Sequence, residues 1–252
     1  MDGLLLPVLI VIGAALVGMG SILIKHRLFP PEPEAEAREG VGEYIAMMVG
    51  VLYALILGIV LVSVWEARDG VQGSIQSEAS SLNQISLLAA ALPAPNGPLI
   101  QQDVQAYANV VVNVEWPEMA AHQPLSTQGW ASLNKLTAAI EGYQPVTAVQ
   151  QNISAEAISQ LSSVYDARHS RQQESADSLS PVLWVGLILG GALTIVFVFC
   201  FGVRRSGDHM TMVMGLTGLV GFLVVLVFEL NHPFSGSMGI DSGVFSQYLS
   251  AT

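Results

Sequence analysis

Four uninterrupted apolar stretches constrain this chain more than any other feature. They are Leu4–Ile24 (21 residues), Tyr44–Trp65 (22), Pro181–Val203 (23) and Met210–Leu230 (21). As helices rising 1.5 Å per residue, each is about 30 Å long, which is the thickness of bilayer hydrocarbon. Glu229, one residue from the end of the last stretch, is the only charge inside them. In hydrocarbon every backbone N–H and C=O must be satisfied internally, and runs of this length do that as helices. The expectation is an all-α membrane protein: four transmembrane helices, with a helical insert of about four helices between spans two and three. A charged fraction of 12% fits, since soluble domains carry about a quarter.

Four polar segments separate or follow the spans: residues 25–43, 66–180, 204–209 and 231–252. The first span has an acidic start, Met1-Asp2-Gly3, and no small-x-small cleavage site before Lys25, so it is expected to be retained rather than removed as a signal peptide. Lys25, Arg27, Arg38, Arg204 and Arg205 place five of the nine basic residues in the two short loops. The positive-inside rule then makes these loops cytoplasmic, and puts both termini and the 115-residue insert outside a cell membrane crossed several times. Lys25-His26-Arg27 and Arg204-Arg205, at span ends, read as anchors at the anionic inner leaflet.

The insert reads as helices. Ile75, Leu82, Ile85, Ala89 and Leu92 form one stripe, ended by Pro93-Ala94-Pro95-Asn96-Gly97-Pro98. Ile100, Val104, Tyr107, Val111 and Val114 form a second, stopped by Pro117. Trp130, Leu133, Leu136, Ile140 and Tyr143 form a third, and Ile153, Ala157, Leu161 and Val164 a fourth. Ser126 or Thr127, and Ser154, are expected N-caps. Four such faces bury one another as an antiparallel module, with the acids of the insert on solvated faces or near turns. No proline separates Trp65 from the first stripe, so span two is expected to run on into it, although Gly70 and Gly73 weaken that helix.

Several chemistries are excluded. A net charge of −11 rules out a polybasic nucleic-acid binder. The single Cys200 allows neither an intrachain disulfide nor a multi-cysteine zinc cluster, and lies in an apolar run. There is no Walker loop, HExxH or GxSxG, and the five histidines are scattered, so no enzyme, cofactor or metal centre is expected.

Three motifs stand out. In Glu115-Trp116-Pro117, proline ends a helix and tryptophan either caps the core or touches the lipid interface. Arg168-x-x-Arg171 lies on one helix face, either paired with acids such as Asp166, Glu174 or Glu115 or contributing to an anion-attracting ring in an oligomer. Glu229, His232, Pro233, Phe234 and Gly236 close span four, as a structural pair and turn or as a protonatable gate. Small residues at packing spacing recur in the spans, as in Ala14-x-x-x-Gly18, Gly186-x-x-x-Gly190 and Gly215-x-x-Gly218-x-x-Gly221. In span two, Gly50 and Gly58 leave room on one side, and Val51, Leu55, Ile59 and Val62 share a face that either lines a narrow apolar path or packs on span three.

The order of these motifs relative to the spans resembles the bestrophin-like family of membrane proteins: Glu-Trp-Pro in the insert, Arg-x-x-Arg before span three, His232-Pro233-Phe234-x-Gly236 after span four. The resemblance implies a four-span helical protein that forms a homo-oligomer in the lipid bilayer, a pentamer by analogy with the bestrophins. Those are anion channels lined by their second span. The insert here holds eleven acids and four bases, which favours cations over anions at long range. The expectation is an oligomeric channel-like protein with span two around the axis. The alternative is a scaffold or accessory subunit that presents its helical domain to a membrane-protein partner.

Overall fold

The computed structural model describes residues 36–176, 179–201 and 207–245, with side chains described within 44–173, 179–197 and 213–245. The first expected span and most of the loop after it lie outside the described residues. Among the described residues the secondary structure is wholly helical: α1 (Glu36–Ala90), α2 (Asn96–Val110), a π-helical turn (Val111–Glu115), α3 (Trp116–Ala120), α4 (Gln128–Glu141), α5 (Ala148–Ala176), α6 (Pro181–Phe201) and α7 (Gly207–Leu230). The stretches Tyr44–Ala90 and Val213–Leu230 are long and apolar enough to cross a membrane, and Pro181–Phe197 is a shorter apolar helix. The chain forms two compact units: Met1–Glu66 with Ser178–Asn231, and Ala67–Asp177 with His232–Thr252.

In the first unit α1 shows two faces. Ala46, Tyr53, Leu57, Val60 and Val64 recur every three or four residues, or seven apart, and are buried. Tyr53 packs on α6, where a β-carbon at Gly190 would stand 2.8 Å from its Cδ2 and one at Gly191 2.8 Å from its hydroxyl. Glycine is needed at both positions because the tyrosine ring occupies the space a side chain would take. A β-carbon at Gly186, Gly215, Gly218 or Gly58 would meet nothing within 4 Å, so those small residues do not make the close approach their spacing suggests. Between α6 and α7, Trp184 meets Phe228 edge-on at 6.2 Å, and Leu187, Val213 and Val227 are buried. Asn231 accepts a hydrogen bond from the Leu179 N–H at 2.8 Å, joining the two ends of this hairpin.

The second unit is built from the four stripes. Ile75, Leu82, Ile85, Val104, Leu133, Leu136 and Val164 are all inaccessible to solvent, each worth about 1.5–3 kcal/mol in burial. α1 is continuous from Glu36 through Gly70 and Gly73, since the cost of about 1 kcal/mol per glycine is small beside that packing. The second stripe departs from its expected course. Trp116 N–H donates to the Val111 carbonyl five residues back, so the helix widens by one residue at 111–115. That shift brings Glu115 rather than Val114 onto the buried face. Pro117 does not stop the helix; it falls in the first turn of α3, where its missing N–H costs nothing.

The caps also differ from expectation. α4 follows Thr127, but no side chain caps it; the Ser126 N–H donates instead to Glu118 Oε2 at 2.8 Å. α5 starts at Ala148, well before Ser154. Thr147 Oγ1 accepts from the Gln150 N–H at 3.2 Å, while Gln150 Oε1 accepts from the Thr147 N–H at 3.3 Å. This reciprocal capping box satisfies two orphan donors.

The segment after α7 is part of this unit. Arg68 Nη2 donates to the Met238 carbonyl at 2.7 Å, Trp116 Nε1 to the Ile240 carbonyl at 3.2 Å, and Phe234, Ile240 and Phe245 join the core.

Candidate functional site

The expected solvation of the insert acids fails at three of them: Glu78, Asp103 and Glu115 are buried. Asp103 is held by Lys135 Nζ at 2.7 Å. The other two meet the arginines. Arg168 and Arg171, one turn apart on α5, project between α1 and the π-helical turn. Arg168 binds Glu115 in a two-pronged pair, Nη2 to Oε1 at 2.5 Å and Nη1 to Oε2 at 3.0 Å. Arg171 Nη2 reaches Glu115 Oε2 at 3.0 Å, and its Nε reaches Glu78 Oε2 at 2.6 Å. Tyr107 links the pairs, accepting from Arg168 Nη1 at 2.9 Å and donating its hydroxyl proton to Glu78 Oε1. Trp130 covers the Arg168 guanidinium, 4.6 Å from ring centroid to Cζ, a cation–π contact strengthened by the absence of water.

All four charged side chains are 0% exposed, and their charges cancel. Burial alone would raise the Glu115 carboxyl, but the Arg168 hydrogen bonds and the two guanidinium charges outweigh it and hold the group below its usual range. Burial works against the charged Arg171 as well; the charge and hydrogen bonds of Glu78 override it and push the guanidinium further up. Tyr107 is raised well above its ordinary value, first by burial and then by the charge of Glu78. These shifts hold the Glu115 carboxyl and both guanidiniums in their charged forms and the Tyr107 phenol in its neutral one. The arrangement is a fixed electrostatic clamp across three helices. Enclosed and paired, neither guanidinium is free to serve an anion-attracting ring.

The structure brings the sequence motifs together in this unit. Trp116 lies edge-on to Phe234 at 5.4 Å and to Phe245 at 6.0 Å. It therefore caps the core rather than reaching lipid. Pro233 is buried and its carbonyl accepts from the Ile240 N–H at 2.8 Å, while Gly236, at φ 79°, makes the turn between them. Pro117 is exposed. His232 meets His122 ring to ring. Glu229 belongs to the other unit, half-buried on the last turn of α7. Val51, Leu55, Ile59 and Val62 are likewise in the first unit, 65%, 61%, 62% and 56% exposed.

Sequence reasoning missed Glu78, Gly129 and His122, and took Tyr107 and Trp130 as core alone. Glu78 had a usable signal, lying three residues after Ile75 and four before Leu82 on an apolar stripe. A β-carbon at Gly129 would collide with Glu115 Oε1 and stand 2.5 Å from Arg168 Nη2, so α4 approaches the clamp only because this residue has no side chain.

A family model described as Bestrophin-like, a Bestrophin-like domain, matches residues 12–245. No curated protein matches the chain. A solved structure described as the crystal structure of a membrane protein is similar over 97% of this chain and 96% of that one, at 12% identity and a TM-score of 0.64, which shows a shared fold.

Proposed function

The chain belongs to the bestrophin-like family, and from that membership we propose that it forms an oligomeric channel in the cell membrane, conducting ions along a narrow apolar path lined by residues 44–65 of α1. The observation that carries this reading is the division of α1 into two faces. Tyr53, Leu57, Val60 and Val64 are used in packing, whereas Val51, Leu55, Ile59 and Val62 stay more than half exposed. In a ring of subunits, a pentamer by family analogy, such a face turns to the axis, and an apolar constriction gates by dewetting without a charged filter. The likeness to a membrane-protein structure and the apolar lengths of α1, α6 and α7 support a multi-pass arrangement, to which the apolar run Leu4–Ile24 would add a fourth span. The acidic insert favours cations.

The test is native mass measurement in mild detergent followed by ion flux in liposomes. A ring whose leak rises on Leu55→Ser or Ile59→Ser supports the channel, because a hydroxyl wets a closed constriction. Unchanged flux with the assembly intact removes this face from a pore. The scaffold reading has its own observation: Val146, in the loop before α5, and Val149, in its first turn, are 87% and 67% exposed on the helical unit. A monomer without flux favours it.

A further inference from the structure

We propose that Glu66 sets the charge selectivity of the path, one carboxylate from each subunit forming a ring that admits cations. This deepens the channel reading above and rests on it.

Helix register is the first observation. Val51, Leu55, Ile59 and Val62 follow one another at steps of four, four and three, and the next step of four reaches Glu66. α1 runs unbroken through all five. At roughly 100° per residue they fall within an arc of about 80°. The buried residues Tyr53, Leu57, Val60 and Val64 occupy the opposite side, centred about 150° from Glu66. Whatever the exposed face turns towards, Glu66 turns towards too. It is the first charge that this stripe meets on leaving residues 44–65.

Availability is the second. Glu66 is exposed, and among the described residues no ion pair or hydrogen bond engages it. By contrast Glu78 and Glu115 are bound by Arg171 and Arg168, and Asp103 by Lys135. Arg68, the nearest base in sequence, lies two positions on, a spacing at which helical side chains do not face each other. Its Nη2 donates instead to the Met238 carbonyl. The Glu66 carboxylate is thus left for a passing ion.

Distance is the third. An apolar wall gates by dewetting but does not tell a cation from an anion, whereas a ring of carboxylates does. Four residues of helix put Glu66 about 6 Å beyond Val62 along the axis. That lies inside the screening length of about 8 Å at physiological salt. Charges acting from beyond that length are largely screened, so a carboxylate on the wall itself outweighs the diffuse charge of the insert.

The test uses the full chain reconstituted in planar bilayers, in the Leu55→Ser background so that the wetted path carries current. The zero-current potential is read in a KCl gradient, and the parent should prefer K⁺. Glu66→Gln, an exposed and nearly isosteric change, should lower the K⁺ to Cl⁻ permeability ratio at least about threefold, the effect of one unit charge at about 6 Å in water. Glu66→Lys should invert the preference. Glu141→Gln, which removes a carboxylate from the exposed end of α4, should leave the ratio unchanged. A ratio indifferent to Glu66, or one that Glu141→Gln lowers as much, overturns the proposal and leaves the path in place. A monomer, or an intact ring that passes no ion, overturns both.

Discussion

Glu115 sits where a carboxylate has no water to solvate it, and its charge persists because two guanidiniums supply what water would. Removing one member leaves the others uncompensated, so Glu115→Gln should destabilise the helical unit by about 3–5 kcal/mol, read as a lowered unfolding midpoint. The carboxyl lies below its ordinary 4.5 in the folded chain, so the unfolded chain binds more protons near that pH. Its contribution is therefore complete above about 4.5 and lost as the pH falls through the lower folded value. Melting curves between pH 7 and 3 should show that loss in the wild type and a shallower one in Glu115→Gln. Gly129→Ala should cost about 1–3 kcal/mol by pushing a β-carbon into the clamp. Gly73→Ala, with open space around it, should instead stabilise by up to about 1 kcal/mol. A destabilised Gly73→Ala would contradict that account. The clamp was half legible in the sequence. Arg168-x-x-Arg171 and Glu115 stood out as chemistry, but Arg171 and Glu78 are 93 residues apart, and nothing in one dimension records that two helices lay them side by side.

Helical stripes are legible because burial imposes a period, and the positions of Ile75 to Leu92 or Leu133 to Tyr143 follow it. What disturbs the period is not legible. The π-helical turn at Val111–Glu115 inserts one residue into a run whose pattern predicts Val114 as the next core position. The Thr147–Gln150 capping box is readable as Thr-x-x-Gln, whereas Ser154, two residues before Glu156, falls inside the helix. Glycine spacing was the weakest guide, since Gly186-x-x-x-Gly190 satisfies the pattern while only Gly190 touches another helix within 4 Å. Gly190→Ala should accordingly destabilise the apolar unit by about 1–3 kcal/mol, and Gly186→Ala should be near neutral in the same thermal assay. Combining Gly190→Ala with Tyr53→Val should recover much of the loss, because the smaller partner removes the collision. A double variant no better than Gly190→Ala alone would place the cost elsewhere.

For the molecule as a whole, the apolar runs announce themselves, whereas the docking of the last segment does not. Phe234, Ile240 and Phe245 are spaced six and five apart, which matches neither a helix nor a strand. Yet that docking bears on topology. The insert and the segment from His232 fold into one unit, so the proposed membrane arrangement requires both on one side and an even number of crossings by the chain between them. In the four-span arrangement proposed above, α6 and α7 supply two crossings. The positive-inside expectation then assigns the sides, because Arg204 and Arg205 lie between those helices in sequence and favour the cytoplasm. Single cysteines at Asn96 and at the exposed Asp241, in a chain whose Cys200 is replaced by alanine, should both react with an impermeant thiol reagent applied to intact cells. A cysteine at Pro31 should react only after permeabilisation. Labelling of Asn96 and Asp241 together but only after permeabilisation would reverse the orientation and keep the hairpin. Labelling of one without the other would break the hairpin itself, because a segment cannot pack into a unit that lies across the bilayer from it.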